Sequence, residues 1–143
     1  MNYRDEAVYD AKTLVKEQLA EPILEQLGPN GNLMRVFDHD SVYTWVHEYC
    51  IDKSYTLLEA ATLLDQLRDY TETDYGLWHC LEPKDAIAVQ AAYTYGNAVQ
   101  SLARSLVENI GEEYDTLEQG DDEADEAWDE RARKHIVEYI ENL

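Results

Sequence analysis

Positive charge is what this chain lacks most. Only 11 Lys and Arg accompany 31 Asp and Glu over 143 residues, giving a formal net charge of −20 and an isoelectric point near 4.2. Such a surface repels phosphates, which argues against direct binding of DNA, RNA or anionic lipid. Cysteine is scarce too. Cys50 and Cys80 are too few for a disulfide framework, and buried, inert packing in a reducing cytoplasm is expected of them. No apolar run near Met1 resembles a signal peptide. The longest uncharged stretch, Ala86 to Ala103, has the length of a marginal membrane span. It is interrupted by Gln90, Thr94, Asn97 and Gln100, whose polar groups would need partners in lipid. The expected protein is soluble and cytoplasmic, with no membrane contact.

Motifs for catalysis are missing as well. There is no Gly-x-Ser-x-Gly, no His-Glu-x-x-His and no Walker-type loop, so the chain is not read as an enzyme. Gly28-Pro29-Asn30-Gly31-Asn32 is a turn signal, with too few glycines to cradle a phosphate and no Lys-Ser/Thr after it. His47-x-x-Cys50 with His79-Cys80 is the best material for zinc, but its spacing matches poorly. A calcium loop tried from Asp115 puts Gly120 sixth and Glu126 twelfth, yet places Leu117 where an oxygen ligand belongs. No metal and no cofactor are expected. His39, between Asp38 and Asp40, has its imidazolium form favoured by nearby negative charge. That local effect does not make it a base.

What is present is helical periodicity. With 45% hydrophobic residues the chain can bury a core, and its length suits one domain. From Pro83 to Ile110, apolar residues including Ala88, Ala92, Tyr95, Val99, Leu102 and Leu106 recur every three or four positions. A second apolar face adds Ile87, Ala91, Ala98, Ala103 and Val107, which predicts a helix enclosed on most sides. Pro83 suits its first turn, Gly111 is expected to stop it, and Gly96 should permit close approach of another helix.

A first helix is predicted over Tyr3 to Leu27, buried through Val8, Ala11, Leu14 or Val15, Leu19, Ile23 and Leu27, and kinked near Ala20 by Pro22. Another runs from Asp40 or Ser41 to about Ile51, with Val42, Trp45, Val46, Tyr49 and Cys50 inward. A third opens at Thr56, where Glu59 completes a capping box, and continues through Leu57, Leu58, Ala61, Leu64 and Leu67. Thr71 to Cys80 reads as a loop. The fold class is all-α: a compact helical bundle around a buried central helix, with an acidic C-terminal helix. It divides into a core bundle over 1–110 and an acidic segment and helix over 111–143.

The acids are concentrated. Glu112, Glu113, Asp115, Glu118, Asp121, Asp122, Glu123, Asp125, Glu126, Asp129 and Glu130 follow one another with no base among them. Residues 1–110 and 111–143 each carry a net −10, so half the charge occupies the last quarter of the chain. Beyond the run, Ala124, Ala127 or Trp128, Ala132, Ile136 and Tyr139 or Ile140 outline the apolar stripe of a docked helix, with Arg131, Arg133 and Lys134 towards its negative end. The run should therefore begin on a loop and continue along the outer face of that helix. Asp121, Asp122, Asp125 and Asp129 are predicted to face water. Further acids at Asp65, Asp69, Glu72 and Asp74 lie near the loop aromatics Tyr70, Tyr75 and Trp78, residue types enriched at binding hot spots.

Carboxylates three or four apart on a helix stand about 5–6 Å from one another, and duplex DNA carries one charge per ~1.7 Å of axis. A helix edged with Asp and Glu approximates that density, so a groove built for phosphates could accept it. In size, charge, helicity and the interleaving of acids with aromatics, the chain resembles the small acidic helical DNA-mimic proteins of phages and mobile elements, of the anti-restriction and anti-CRISPR type. The resemblance implies a stoichiometric inhibitor of a DNA-binding defence complex, acting in the host-cell cytoplasm. No motif matches residue by residue, and no site is carried over. The expected partner is a basic nucleic-acid-binding protein or complex, and a homodimer is compatible with the sequence. The alternative is an acidic adaptor or chaperone that holds a basic protein without competing with DNA. A solvated face that keeps the chain soluble would produce a similar composition.

Overall fold

A computed structural model describes residues 2–38, 40–51, 54–70 and 83–143. Among them every regular element is helical and no strand occurs, so the fold is all-α. His39, the segment from Thr71 to Cys80 with Glu72, Asp74, Tyr75, Trp78 and His79, and the side chain of Cys50 lie outside the described residues. The chain resolves into two compact units, residues 1–11 with 43–102 and residues 12–42 with 103–143. This division is discontinuous in sequence and departs from the expected boundary at 110.

The first helical stretch is α1, Tyr3–Leu14, a π-helical turn over Val15–Leu19, and α2, Ala20–Glu25. Pro22 accounts for the widened turn. It has no N–H for the carbonyl four residues back, and its ring crowds that carbonyl. At the end of that turn Leu19 has φ −104° and ψ −14°. The chain then reverses at Gly28, which has φ 120°, and Gly31 donates back to the Gly28 carbonyl at 3.2 Å. A side chain at Gly31 would collide with the Gln26 carbonyl, so both glycines of the predicted turn are required. A 3-10 turn, Leu33–Asp38, leads to α3, Asp40–Val46, whose end widens into a π turn over His47–Ile51. Then come α4, Leu57–Gln66, a 3-10 turn Arg68–Tyr70, α5, Pro83–Asp115, and α6, Asp125–Glu141.

In the first unit, α4 starts as its sequence dictates. The Thr56 hydroxyl accepts from the Glu59 N–H and the Glu59 carboxylate accepts from the Thr56 N–H, both at 3.1 Å. Here α1 begins beside the end of α4. The Tyr3 N–H donates to Gln66 Oε1 at 2.6 Å, and Arg4 pairs with Asp69 at 2.7 Å. The core contains Tyr3, Ala7, Trp45, Val46, Ala60, Leu63 and Leu67 with the first part of α5, where Ala91, Ala92, Thr94, Tyr95, Ala98 and Val99 are all buried. Gly96 is buried among them. Gln90 meets the polar demand of its own helix by donating to Thr94 at 3.2 Å, and the Tyr95 hydroxyl donates to Asp10. This stretch is enclosed, as its lack of charge predicts.

Val8, Tyr49 and Tyr93 turn differently from expectation. Val8 is exposed and Ala7 takes its place: the buried row is Tyr3, Ala7, Ala11, Leu14, in which small alanines allow close packing. In α4, where the sequence left the inner face open, Leu57 and Leu58 are exposed and Ala60, Leu63 and Leu67 face inward. Tyr49 is 58% exposed. The π turn inserts an extra residue into the helical repeat and leaves the Tyr49 ring at the edge of the buried face, against Trp45. Tyr93, which a core reading would also bury, is exposed.

In the second unit, α2 and the preceding π turn pack against α6, and α2 also meets the 3-10 turn. Leu14, Val15, Leu19, Ile23, Val36, Val107, Ile110, Ala132, Ile136 and Ile140 are buried. The Arg133 guanidinium donates to the Leu24 carbonyl, and Arg104 lies 5.1 Å from the Phe37 ring centroid. Gly111 does not end the helix, because α5 continues to Asp115. A Cβ at Gly111 would stand 3.0 Å from Leu33 Cδ1. The glycine is there for that close approach.

Candidate partner-binding surface

The acidic run belongs wholly to the second unit and occupies three settings. Glu112, Glu113 and Asp115 lie on the last turn of α5, not on a loop as expected. Glu118 to Glu123 follow in the connection, and Asp125, Glu126, Asp129 and Glu130 begin α6. The C-terminus of α5 closes on Thr116, whose N–H reaches the Glu112 and Glu113 carbonyls at 3.2 Å and whose hydroxyl donates to the Glu113 carbonyl at 2.7 Å.

A dense set of hydrogen bonds orders the connection. Glu123 N–H donates to the Gly120 carbonyl at 3.0 Å, and Gly120 N–H returns to Glu123 Oε1 at 3.1 Å. The Gln119 amide bridges the Glu123 carbonyl at 2.7 Å and Asp125 Oδ1 at 2.8 Å. From α6, Arg131 grips the Glu123 carboxylate with two bonds of 3.0 and 2.9 Å and the Glu118 carbonyl with one of 2.7 Å. The Arg131 bonds, with help from Gly120, hold the Glu123 carboxyl below the usual carboxylate range, and Glu123 in turn raises the Arg131 guanidinium.

One more pair ties α6 to α5, where His135 Nε2 meets Glu113 Oε1 at 2.8 Å, and within α6 Arg133 Nε meets Asp129 one turn back at 2.9 Å. Behind them Tyr114 and Trp128 pack edge to face, with ring centroids 5.9 Å apart. Burial, and then Asp129, push the Tyr114 hydroxyl up.

The acids sort cleanly by exposure. Glu113, Glu123 and Asp129 are half-buried, and these are the ones in ion pairs. Glu112, Asp115, Glu118, Asp121, Asp122, Glu126 and Glu130 are exposed and make no ion pair among the described residues. Asp125 is exposed and takes the Gln119 amide. Asp129 was expected to face water, but α6 turns it towards Arg133. The cations just beyond the run were expected to serve the end of the helix dipole. Instead Arg131 and Arg133 reach sideways and backwards, and no basic residue occupies the last turn of α6.

Local electrostatics does not favour all of these positions. Asp125 and Glu126 sit in the first turn of α6, where the dipole stabilises acids. Glu112, Glu113 and Asp115 crowd the negative end of α5, which has no base in its last turn, and each such placement costs about 0.3–1 kcal/mol when exposed.

Asp65 and Asp69 belong to the first unit, and Asp69 is already engaged by Arg4. Glu72 and Asp74 lie outside the described residues. The sequence reading missed the Arg131 clamp, for which the signal was the first base after the acidic run, two turns beyond Glu123. Among the described residues no three His, Cys, Asp or Glu side chains converge as a metal site, and no helix is long and apolar enough to cross a membrane. Comparison with protein-family models, curated proteins and solved structures found no match to this chain.

Proposed function

We propose that this chain is an acidic inhibitor of the DNA-mimic type, occupying the nucleic-acid-binding cleft of a basic partner, as phage-encoded anti-CRISPR or anti-restriction proteins do. The observation that carries this reading is the division of labour among the acids. Half-buried Glu123 and Glu113 hold the connection and α6 in place, while seven exposed acids make no ion pair among the described residues on that fixed scaffold. An ordinary solvated face has no need of an ordered loop, nor of acids at the unfavourable end of α5. A rigid array of carboxylates is what a groove built for phosphates can bind without an ordering cost. Glu126 and Glu130, one turn apart on α6, supply the spacing of about 5–6 Å.

The test begins with isolation of the partner from the native host, followed by competition between this protein and the partner's own DNA. Displacement of DNA is expected, weakening as salt rises, with a fast, steered association. Reversing Asp121, Asp122, Glu126 and Glu130 to Lys should slow association by about tenfold or more and leave helicity unchanged, since none of the four is paired. A ternary complex with DNA affinity intact would overturn occlusion and assign the surface to an adaptor or chaperone.

A further inference from the structure

Every large hydrophobic side chain that is exposed among the described residues, four tyrosines included, belongs to the first unit, away from the acidic run in sequence and in unit. Two of them are organised. Tyr43, 70% exposed, stacks on His47 one turn later, with ring centroids 5.1 Å apart. Tyr49, 58% exposed, lies against Trp45 at 5.4 Å with the rings inclined by 35°. Trp45 is buried, so it fixes the Tyr49 ring from beneath. Between them in sequence stands the exposed carboxylate of Glu48. The Tyr43–His47 pair and the Trp45–Tyr49 pair lie on different sides of this helical stretch, since residues two or six apart do not share a helix face. It therefore carries two separate held rings, with the exposed Glu48 next to both His47 and Tyr49 in sequence.

We propose that these two ring sites, Tyr43 on His47 and Tyr49 on Trp45, each dock an arginine side chain of the basic partner. Ring faces are the negative part of an aromatic quadrupole and attract cations. Arginine fits better than lysine, because its planar, weakly hydrated guanidinium stacks on a ring while also bonding a carboxylate. Charge selects the occupant. A second copy of a chain carrying −20 would be repelled, as would anionic lipid or nucleic acid. The inference rests on the reading that the partner is basic, and it does not require that the partner's cleft hold DNA.

The probes are a nona-arginine and a nona-lysine peptide, titrated against the full chain at low and high salt. The arginine peptide is expected to bind about twofold to fivefold more tightly per engaged ring, with the preference most visible at high salt, where the exposed acids are screened. In Tyr43→Ser/Tyr49→Ser the preference should fall towards unity, while Tyr43→Phe/Tyr49→Phe keeps it, since the ring faces remain. Circular dichroism of both variants checks that helicity is retained. Equal binding of the two peptides by the wild type would overturn the proposal, and so would a preference undiminished in the Ser variant, which would belong to carboxylates alone. A wild-type dimer that the Ser variant converts to monomer would overturn it too, assigning the rings to self-association. The Lys reversal at Asp121, Asp122, Glu126 and Glu130 separates the two readings. It should weaken both peptides alike and leave the arginine preference in place.

Discussion

Arg131 donates two hydrogen bonds to the Glu123 carboxylate, at 3.0 and 2.9 Å, across two turns' worth of sequence, and so closes the acidic connection onto the helix that follows it. The same guanidinium holds the Glu118 carbonyl at 2.7 Å. One cation thereby sets the position of a loop that carries Asp121 and Asp122 without neutralising either.

Arg131→Ala should therefore loosen the loop while leaving the helices formed. Amide hydrogen exchange at Gly120 and Glu123 is expected to speed up several-fold, with exchange in the middle of α5 unchanged. If the proposed function is right, binding to the partner weakens although the variant is more acidic, because the carboxylates lose their fixed spacing. Tighter binding by the variant would show that total charge matters and arrangement does not.

The Glu123 carboxyl is held low first by its side-chain bonds to Arg131 and next by the Gly120 N–H. Because its folded pKa is depressed, the contribution of this contact is complete above the unfolded value and is lost as pH falls through the folded one. Side-chain carboxyl NMR should show Glu123 protonating below the usual glutamate range. Glu59 is lowered independently by the backbone and the hydroxyl of Thr56. Arg131→Ala should move the Glu123 midpoint up and leave that of Glu59 where it is. Parallel movement of both would refute the local cause.

Gly96 lies buried in α5 between the buried residues Tyr95 and Ala98. Gly96→Leu should destabilise the protein by about 1–3 kcal/mol through overpacking, read as a lower urea midpoint at unchanged slope. A midpoint at or above that of the wild type would mean that the site has room for a side chain.

The sequence by itself determined the helical class, the enclosed stretch of α5, the Gly28–Gly31 reversal and the start of α4. Each depends on interactions within a few residues: an uncharged helical repeat, a positive φ that glycine tolerates, and a capping box closed by Thr56 and Glu59. It also placed the acids, since composition needs no coordinates. Only the tertiary structure decided which way the faces turn. Close packing of the row Tyr3, Ala7, Ala11, Leu14 puts Ala7 inside in place of Val8, and at the widened turn over His47–Ile51 Tyr49 is left largely in solvent. Gly111 reads as a stop until Leu33 is seen to approach it from elsewhere in the chain. The separation of the acidic run into carboxylates that hold the scaffold and carboxylates left free depends on Arg131 and His135, whose partners Glu123 and Glu113 are set by how α6 packs, whereas Arg133 takes Asp129 one turn back on its own helix.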